Sequence, residues 1–367
     1  MKIGTPVVLA VALLSSACSS GAGVQDLKSD KNKISVVHSE TTLEKIGVGS
    51  CLHQDRPQPI WETVFDRKPD LMLMIGDNVY ANALSLQEKY EKAFNRKGYK
   101  KLLREYEVLA TYDDHDFGNN DSDKTNEAKK TAVRLSLDSF KVPKDDPRRS
   151  HEGVYGSYIY GKKGQRLQII LLDTRYFKDS WKTGKKNMKP PPGYGRYIPD
   201  GNPSKTILGK DQWAWLEKAL KEKAEVRLVV SSIQVISNEH GRESWGGFPV
   251  EREKLFTLIK STGAKGVILL SGDVHFSELS LLQDFAYPLY DFTSSAMAHR
   301  HNTTDGSATV YSEAINRFRV PDFVYTAATV GEIQIDWKGK KTSITLRILG
   351  VENKVVATKE IMLSELQ

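Results

Sequence analysis

Leu71-Met72-Leu73-Met74-Ile75-Gly76-Asp77-Asn78-Val79-Tyr80 is the stretch that decides the fold. Five consecutive apolar residues ending at a glycine predict a strand buried on both faces, as in a parallel sheet covered by helices. The polar residues come only where the strand stops. The same arrangement returns three times. Val267–Leu270 runs into Ser271-Gly272-Asp273-Val274-His275, Ile46–Ser50 runs into Cys51, and Val108–Ala110 leads to Asp113-Asp114-His115-Asp116. In α/β sheets ligands gather beyond the carboxyl ends of the strands, so groups far apart in sequence converge there. Any one of these exits reads equally well as a turn, since Gly-Asp is common turn chemistry. Four coincident exits point to a site.

Outward from these exits, Leu167–Leu172 and Arg227–Ser231 read as further buried strands. Trp213, Leu216 and Leu220 share one face of a helix over Asp211–Lys221, and Leu255, Leu258 and Ile259 do so after Pro249. Short apolar runs alternating with amphipathic segments predict an α/β domain. The C-terminal stretches Glu332–Trp337, Thr342–Ile348 and Lys354–Ile361 alternate apolar and polar residues, which predicts an antiparallel β meander. Between Phe177 and Thr206 lies a long irregular segment with Pro190-Pro191-Pro192-Gly193 and several basic residues. A loop of that length in a compact domain is functional or disordered.

The chain has 367 residues, 39% of them hydrophobic and 27% charged, enough for a large soluble core. Its net charge of +7, or +6 without Lys2, suits anionic substrates. There is no basic block with interleaved aromatics, so nucleic-acid binding is not expected. Lys2, the apolar run Pro6 to Leu14 and Ser15-Ser16-Ala17-Cys18 form a secretory leader too short to span a bilayer. Cys18 is similar to the lipidated residue of a bacterial lipoprotein, although Ser15 stands where an apolar residue is usual. The expected organisation is a signal peptide at 1–17, a flexible tether at 18–43 and one domain at 44–367, exported to the periplasm or outer membrane of a bacterium and held to the membrane by a lipid anchor. With Cys18 lipidated, Cys51 has no disulfide partner. A lone thiol in an oxidising compartment is either buried and inert or held by a metal.

Asp77 and Tyr80 lie three apart, so one tight turn brings both to a common ion. Asp273 and His275 lie two apart and point to one side in extended geometry. Carboxylate, imidazole, phenolate and thiolate together suit a trivalent or borderline transition metal, whereas carboxylate and amide oxygens alone suit calcium. The mixture predicts two unlike sites sharing one carboxylate.

These residues resemble the motifs of the alkaline phosphatase D (PhoD-like) metallophosphatases. The opening motif is carried by Gly49-Ser50-Cys51 with Gln54, Pro59 and Trp61, then Gly76-Asp77 and Tyr80. Thr111-Tyr112-Asp113-Asp114-His115-Asp116 with Asn120 is similar to the second block. Leu172-Asp173-Thr174-Arg175, Leu208-Gly209 with Gln212 and Trp215-Leu216, Trp245-Gly246-Gly247, and Thr293-Ser294-Ser295 with His299 are similar to later ones. The resemblance implies a two-sheet metallophosphoesterase-like sandwich flanked by helices. It also implies hydrolysis of phosphomonoesters and phosphodiesters by a two-metal mechanism with ferric iron and calcium. Carried over, Cys51, Asp77, Tyr80 and His275 would hold the iron. Asp77 would bridge to calcium, completed by Asp273, Asp114 and either Asn119 or, by preference, Asn120. His115 takes the place of the catalytic histidine, and Asn78 and His299 are placed to touch substrate. Longer members carry a β-sandwich domain before the opening motif, for which the tether leaves no room. Asn78 after Asp77 and Ala296, where a glycine is frequent, depart from the pattern and bear on substrate preference. Two alternatives stay open: a phospholipase-type phosphodiesterase on the same scaffold, and a non-enzymatic surface-anchored protein that binds metal or phosphate.

Overall fold

The computed structural model describes Met1 and residues 34–185, 190–191, 194–298 and 315–367. In chain order its strands are β1 Val36–Ser39, β2 Lys45–Gly49, β3 Leu71–Ile75, β4 Glu107–Thr111, β5 Gly156–Tyr160, β6 Leu167–Leu171, β7 Val226–Val230, β8 Val267–Ser271, β9 Ser277–Leu282, β10 Leu289–Thr293, β11 Arg319–Tyr325, β12 Thr329–Asp336, β13 Ser343–Gly350 and β14 Val355–Met362. Its helices are α1 Ile60–Arg67, α2 Leu86–Phe94, α3 Lys97–Glu105, α4 Asp114–Phe117, α5 Lys129–Ser139, α6 Gly209–Leu220 and α7 Pro249–Ser261. They build two mixed sheets. One runs β1-β5-β6-β7-β8-β10-β9-β11, the other β14-β13-β12-β2-β3-β4.

The side-chain alternation of β3 shows why its sequence has no polar position. Leu71, Leu73 and Ile75 enter one apolar core with Ile46 and Val48 of β2 and with Leu171, Val230 and Ile268 of the other sheet. Met72 and Met74 enter a second core with Trp61 and Val64 of α1 and Tyr99 and Leu102 of α3. Each such side chain removed from water contributes about 1.5–3 kcal/mol. A polar residue on either face would forfeit that and bury an unpaired group.

The parallel pairs β2/β3 and β3/β4 are in register, with Gly49 opposite Met74 and Ile75 opposite Thr111. All three strands therefore end at one edge of their sheet, and β8 ends among the parallel strands β7, β8 and β10 of the other. The C-terminal meander extends the smaller sheet. β12 pairs antiparallel with β2, placing Gly331 opposite Val48, and β13 and β14 follow.

The structure departs from the expected flexible tether at 18–43 in its last third. Val36–Ser39 forms β1, paired in parallel with β5 through Val36 opposite Tyr158. Ser35 is buried there, its hydroxyl bonded to Ser157 at 2.5 Å. Residues 2–33, and with them Cys18, lie outside the described residues. Among the described residues no helix is long and apolar enough to cross a membrane.

Candidate metal centre

The loop after β2 leans on the loop after β3. Cys51 N donates to Gly76 O at 3.3 Å and Leu52 N to Asp77 O at 2.9 Å. The segment after β10 closes the other side, with Met297 N on Ser50 O and Ala298 N on Cys51 O. Gly76 sits at φ +119°, and a Cβ on it would lie 2.7 Å from Asp113 Cβ, so only glycine lets the loops after β3 and β4 approach this closely. Cys51, Asp77, Asp273 and His275 all have left-handed backbone, with φ of 58°, 50°, 70° and 63°. Such conformations cost non-glycine residues on the order of 1–3 kcal/mol each and persist where the surroundings impose them, as at ligand sites.

The four exits converge. Cys51 Sγ lies 3.7 Å from Asp77 Oδ2, and Tyr80 Oη donates to the same oxygen at 2.9 Å and lies 3.2 Å from His275 Nε2. Donor atoms of Cys51, Asp77 and His275 fall within 4.8 Å of one another, as do those of Asp77, Asp114 and His115, and those of Asp77, Asp113, Asp114 and Asp273. Asp77 belongs to all three groups. The first offers sulfur, imidazole nitrogen and carboxylate, with the Tyr80 phenol beside it; the third offers oxygens alone.

Positioning contacts surround these donors. Ser295 Oγ lies 3.0 Å from Cys51 Sγ and accepts from His275 N at 2.9 Å. The Gln54 amide clamps the Tyr80 backbone, donating to its carbonyl at 2.7 Å and accepting from its N–H at 2.9 Å. The Tyr80 ring lies between His53 and His115, with centroids 4.6 and 4.4 Å away. Asp114 accepts backbone N–H bonds from His115 at 2.7 Å and Asp121 at 2.6 Å.

The charge balance fits a cation. Burial, with Asp114, Cys51, Asp113 and Asp116 nearby, pushes the Asp77 carboxyl well above its usual range. Asp273 is raised by burial and by Glu243, Asp113 and Asp114. Burial also works against Asp114, but His115, Arg175 and the Asp121 N–H outweigh it and hold that carboxylate at about 2. Burial, with Asp273 adding to it and hydrogen bonds with Ser295, Ser50 and Tyr80 opposing it, lifts Cys51 to about 12. Arg175 pairs with Asp113 at 2.6 Å and Glu243 at 2.5 Å, one cation against a cluster of acids. One oxygen of each of two acids, Asp77 Oδ1 and Asp113 Oδ2, is buried with no hydrogen-bond partner among the described residues. A cation bound beside them would offset that cost.

At the donors opens a cavity of about 290 Å³, whose lining includes Asp77, His115, Asn120, Asp273 and His275 and also Asp121, Arg196, Tyr197, Arg242 and Glu243. Residues 46–346 match the model of the PhoD-like phosphatase family. The chain belongs to that family. Alkaline phosphatase D of Bacillus subtilis (strain 168) is 32% identical over 138 residues, which cover 35% of this chain and 22% of that protein. The aligned part is thus about a fifth of the curated relative's length. A solved structure of PhoD superposes with a TM-score of 0.65 at 17% identity, covering 89% of this chain and 70% of that one, a likeness of fold.

Within this PhoD-like chain the sequence-derived residues occupy distinct places. Cys51, Asp77, Tyr80, Asp114, Asp273 and His275 are brought together, and His115 and Asn120 line the cavity, whereas Asn119 lines a neighbouring one. Asn78 is fully buried beneath the loop, its Nδ2 donating to Thr111 O at 2.9 Å, and it is not among the cavity-lining residues. His299 lies outside the described residues. Asp173 and Arg175 are joined through the Arg175 backbone N–H, while the Arg175 guanidinium turns to Asp113 and Glu243. His53 is half-buried against Tyr80 and pushed by burial down to about 4. Asp121, Arg196, Tyr197, Arg242 and Glu243 escaped the sequence reading. The one signal for them was the basic loop that contains Arg196.

Proposed function

We propose that this chain is an exported, metal-dependent phosphoesterase that hydrolyses phosphomonoesters, phosphodiesters or both by a two-metal mechanism. The observation that carries the reading is Asp77, shared by a sulfur- and nitrogen-containing donor group and by an oxygen-only group at the floor of one cavity. The first group, with Tyr80, suits ferric iron and the second suits calcium, completed by Asp114, Asp273 and Asn120. Bound cations supply Lewis acidity and lower the pKa of a coordinated water, the chemistry that phosphate-ester hydrolysis needs. His115 faces the cavity from the start of α4, where it would hold the transferring phosphoryl group or give a proton to the leaving oxygen. Ser295 and Gln54 would orient Cys51, His275 and Tyr80. Export and lipid anchoring at Cys18 rest on the N-terminal sequence, as does attachment to a bacterial membrane.

Turnover of chromogenic mono- and diesters by the purified protein tests the reading. A chelator is expected to abolish it, and Asp77→Ala to lower it about 100-fold or more with loss of bound metal. Wild-type turnover and metal content in Asp77→Ala would refute it. Binding of phosphate without turnover would favour the non-enzymatic alternative, and activity confined to phospholipid vesicles the phospholipase-type one. Intact mass of the mature N-terminus checks the anchor: acyl chains on Cys18 are expected, and an unmodified terminus downstream of it would overturn that part.

A further inference from the structure

The irregular segment between Phe177 and Thr206 does not hang free where it meets the cavity. Thr183 bridges Tyr197, Gly184 N donates to Arg196 O at 3.0 Å, and Ile198 N donates to Lys182 O at 2.9 Å, so two stretches of the segment run side by side as a strap. The residues flanking Arg196 are each tied to the chain that leads into Glu243. Gly195 N donates to His240 O, and Tyr197 N to Gly241 O, both at 2.7 Å. The approach is so close that a Cβ on Gly195 would lie 2.2 Å from Gly241 O, and Gly241 itself has φ +65°. Two glycines facing each other permit a fixed backbone contact here.

This pinning holds Arg196 in the lining of the cavity that Asp77, Asp273 and His115 also line. Its side chain is 67% exposed and makes a single-nitrogen ion pair, Nη2 to Asp121 Oδ2 at 3.2 Å, with the Tyr197 hydroxyl also 3.2 Å from Nη2. No hydrogen bond is found for its Nε and Nη1 among the described residues. The Tyr197 hydroxyl also donates to Asp121, and the guanidinium carbon lies 5.3 Å from the centroid of that ring. An exposed ion pair held by one nitrogen contributes little to stability and is readily exchanged. A guanidinium against a phosphoryl group forms paired, charge-assisted hydrogen bonds that are roughly twice as strong as neutral ones.

Resting on the phosphoesterase reading above, we propose that Arg196 is a substrate-recognition residue: it rests on Asp121 in the unliganded protein and transfers to the non-bridging oxygens of a phosphate group held at the metal centre. The strap supplies the position, Asp121 the resting place, and the phosphate the better partner. Lysine would offer a point charge without the planar fork and would replace it only in part.

The test is binding of inorganic phosphate to the metal-loaded full chain by calorimetry, alongside steady-state kinetics. Arg196→Ala is expected to weaken phosphate binding about 10-fold or more. KM for phosphate esters should rise similarly, with bound metal and melting temperature unchanged, and Arg196→Lys should fall between. Lys182→Ala, on the same strap and paired with Asp200 at 3.8 Å, is the control for charge alone and should bind phosphate as the wild type does. Unchanged phosphate binding in Arg196→Ala, an equal loss in Lys182→Ala, or a wild type that binds no phosphate would each overturn the inference. A wild type that binds phosphate through Arg196 but hydrolyses no ester would instead overturn the phosphoesterase reading and leave the inference standing.

Discussion

Tyr80 has more partners than a buried aromatic needs. Its backbone is clamped by Gln54, its ring lies between His53 and His115, and its hydroxyl reaches Asp77 and His275. Burial and the neighbouring Asp77 and Cys51 push that hydroxyl well above its ordinary value, so without a cation it stays a neutral donor. Cys51 is in the same condition, buried and without a disulfide partner among the described residues. A metal-coordinated thiol is deprotonated outright. If ferric iron is the metal, thiolate and phenolate bound to it should colour the purified protein through a visible charge-transfer band. Cys51→Ser and Tyr80→Phe should each lose or shift that band and lower iron content, and Tyr80→Phe keeps the ring between its two imidazoles. Absorption spectra with metal analysis check this; a colourless, iron-free and fully active wild type would exclude the iron site. These residues could be read from sequence because each follows directly on a buried strand, where local order already fixes its place. Glu243 could not, since it reaches the cavity from a segment distant in sequence and is held there by Arg175, whose guanidinium spans 62 and 68 residues of sequence to reach Asp113 and Glu243.

At the scale of elements, the short helix α4 matters more than its four residues indicate. It carries Asp114 and His115 directly after β4, and Asp116 ties it down. Asp116 Oδ2 accepts from Asp113 N at 2.9 Å and its Oδ1 from Val79 N at 3.0 Å. One buried side chain therefore joins the start of α4 to the loop between Asp77 and Tyr80. Asp116→Ala leaves two buried N–H groups without partners, each costing about 1–3 kcal/mol. A loss of about 2–4 kcal/mol is expected in denaturant unfolding, with turnover falling because both loops slacken. Unchanged stability would show that water satisfies those groups. Nothing in the sequence marks this stitch, because Asp116 reads as one more acid in an acidic run. The strands themselves were legible almost to the residue: Leu71–Ile75 is β3 as expected, since an apolar run between a turn and a glycine has few other uses. β1, β5, β9, β10 and β11 were not; in β5 and β9, Gly156, Ser157, Ser277 and Ser280 interrupt the apolar pattern. The paired stretches 182–184 and 196–198 were legible only as loop, since backbone contacts of Gly195 and Tyr197 with His240 and Gly241 hold them in place.

Across the whole molecule, the C-terminal meander is a supporting wall for the site. Its alternation announced three strands, but not that β12 would pair with β2, the strand that delivers Cys51. Glu332 on β12 ties the meander to α1, the helix that follows β2. It is buried and accepts from Arg67 of α1, at 2.8 and 2.5 Å, and from Arg347 of β13 at 2.8 Å. Burial alone would raise its carboxyl, but the two guanidinium groups outweigh burial and lower it below the ordinary range. A carboxylate depressed in the folded state stabilises the fold fully above its unfolded pKa, about 4.3. That contribution is lost as the pH falls through the lower, folded value. Glu332→Gln removes the charge, leaves the guanidinium groups in place, and is expected to cost about 1–3 kcal/mol at pH 7, since hydrogen bonds to charged groups are worth that much. As the pH falls from the unfolded value through the lower folded one, the wild-type carboxyl is itself protonated, so the gap between wild type and variant should shrink toward zero. Urea unfolding from pH 7 down through that window measures the convergence, and a gap that stays constant throughout would mean that shape and packing, rather than charge, hold the meander against α1.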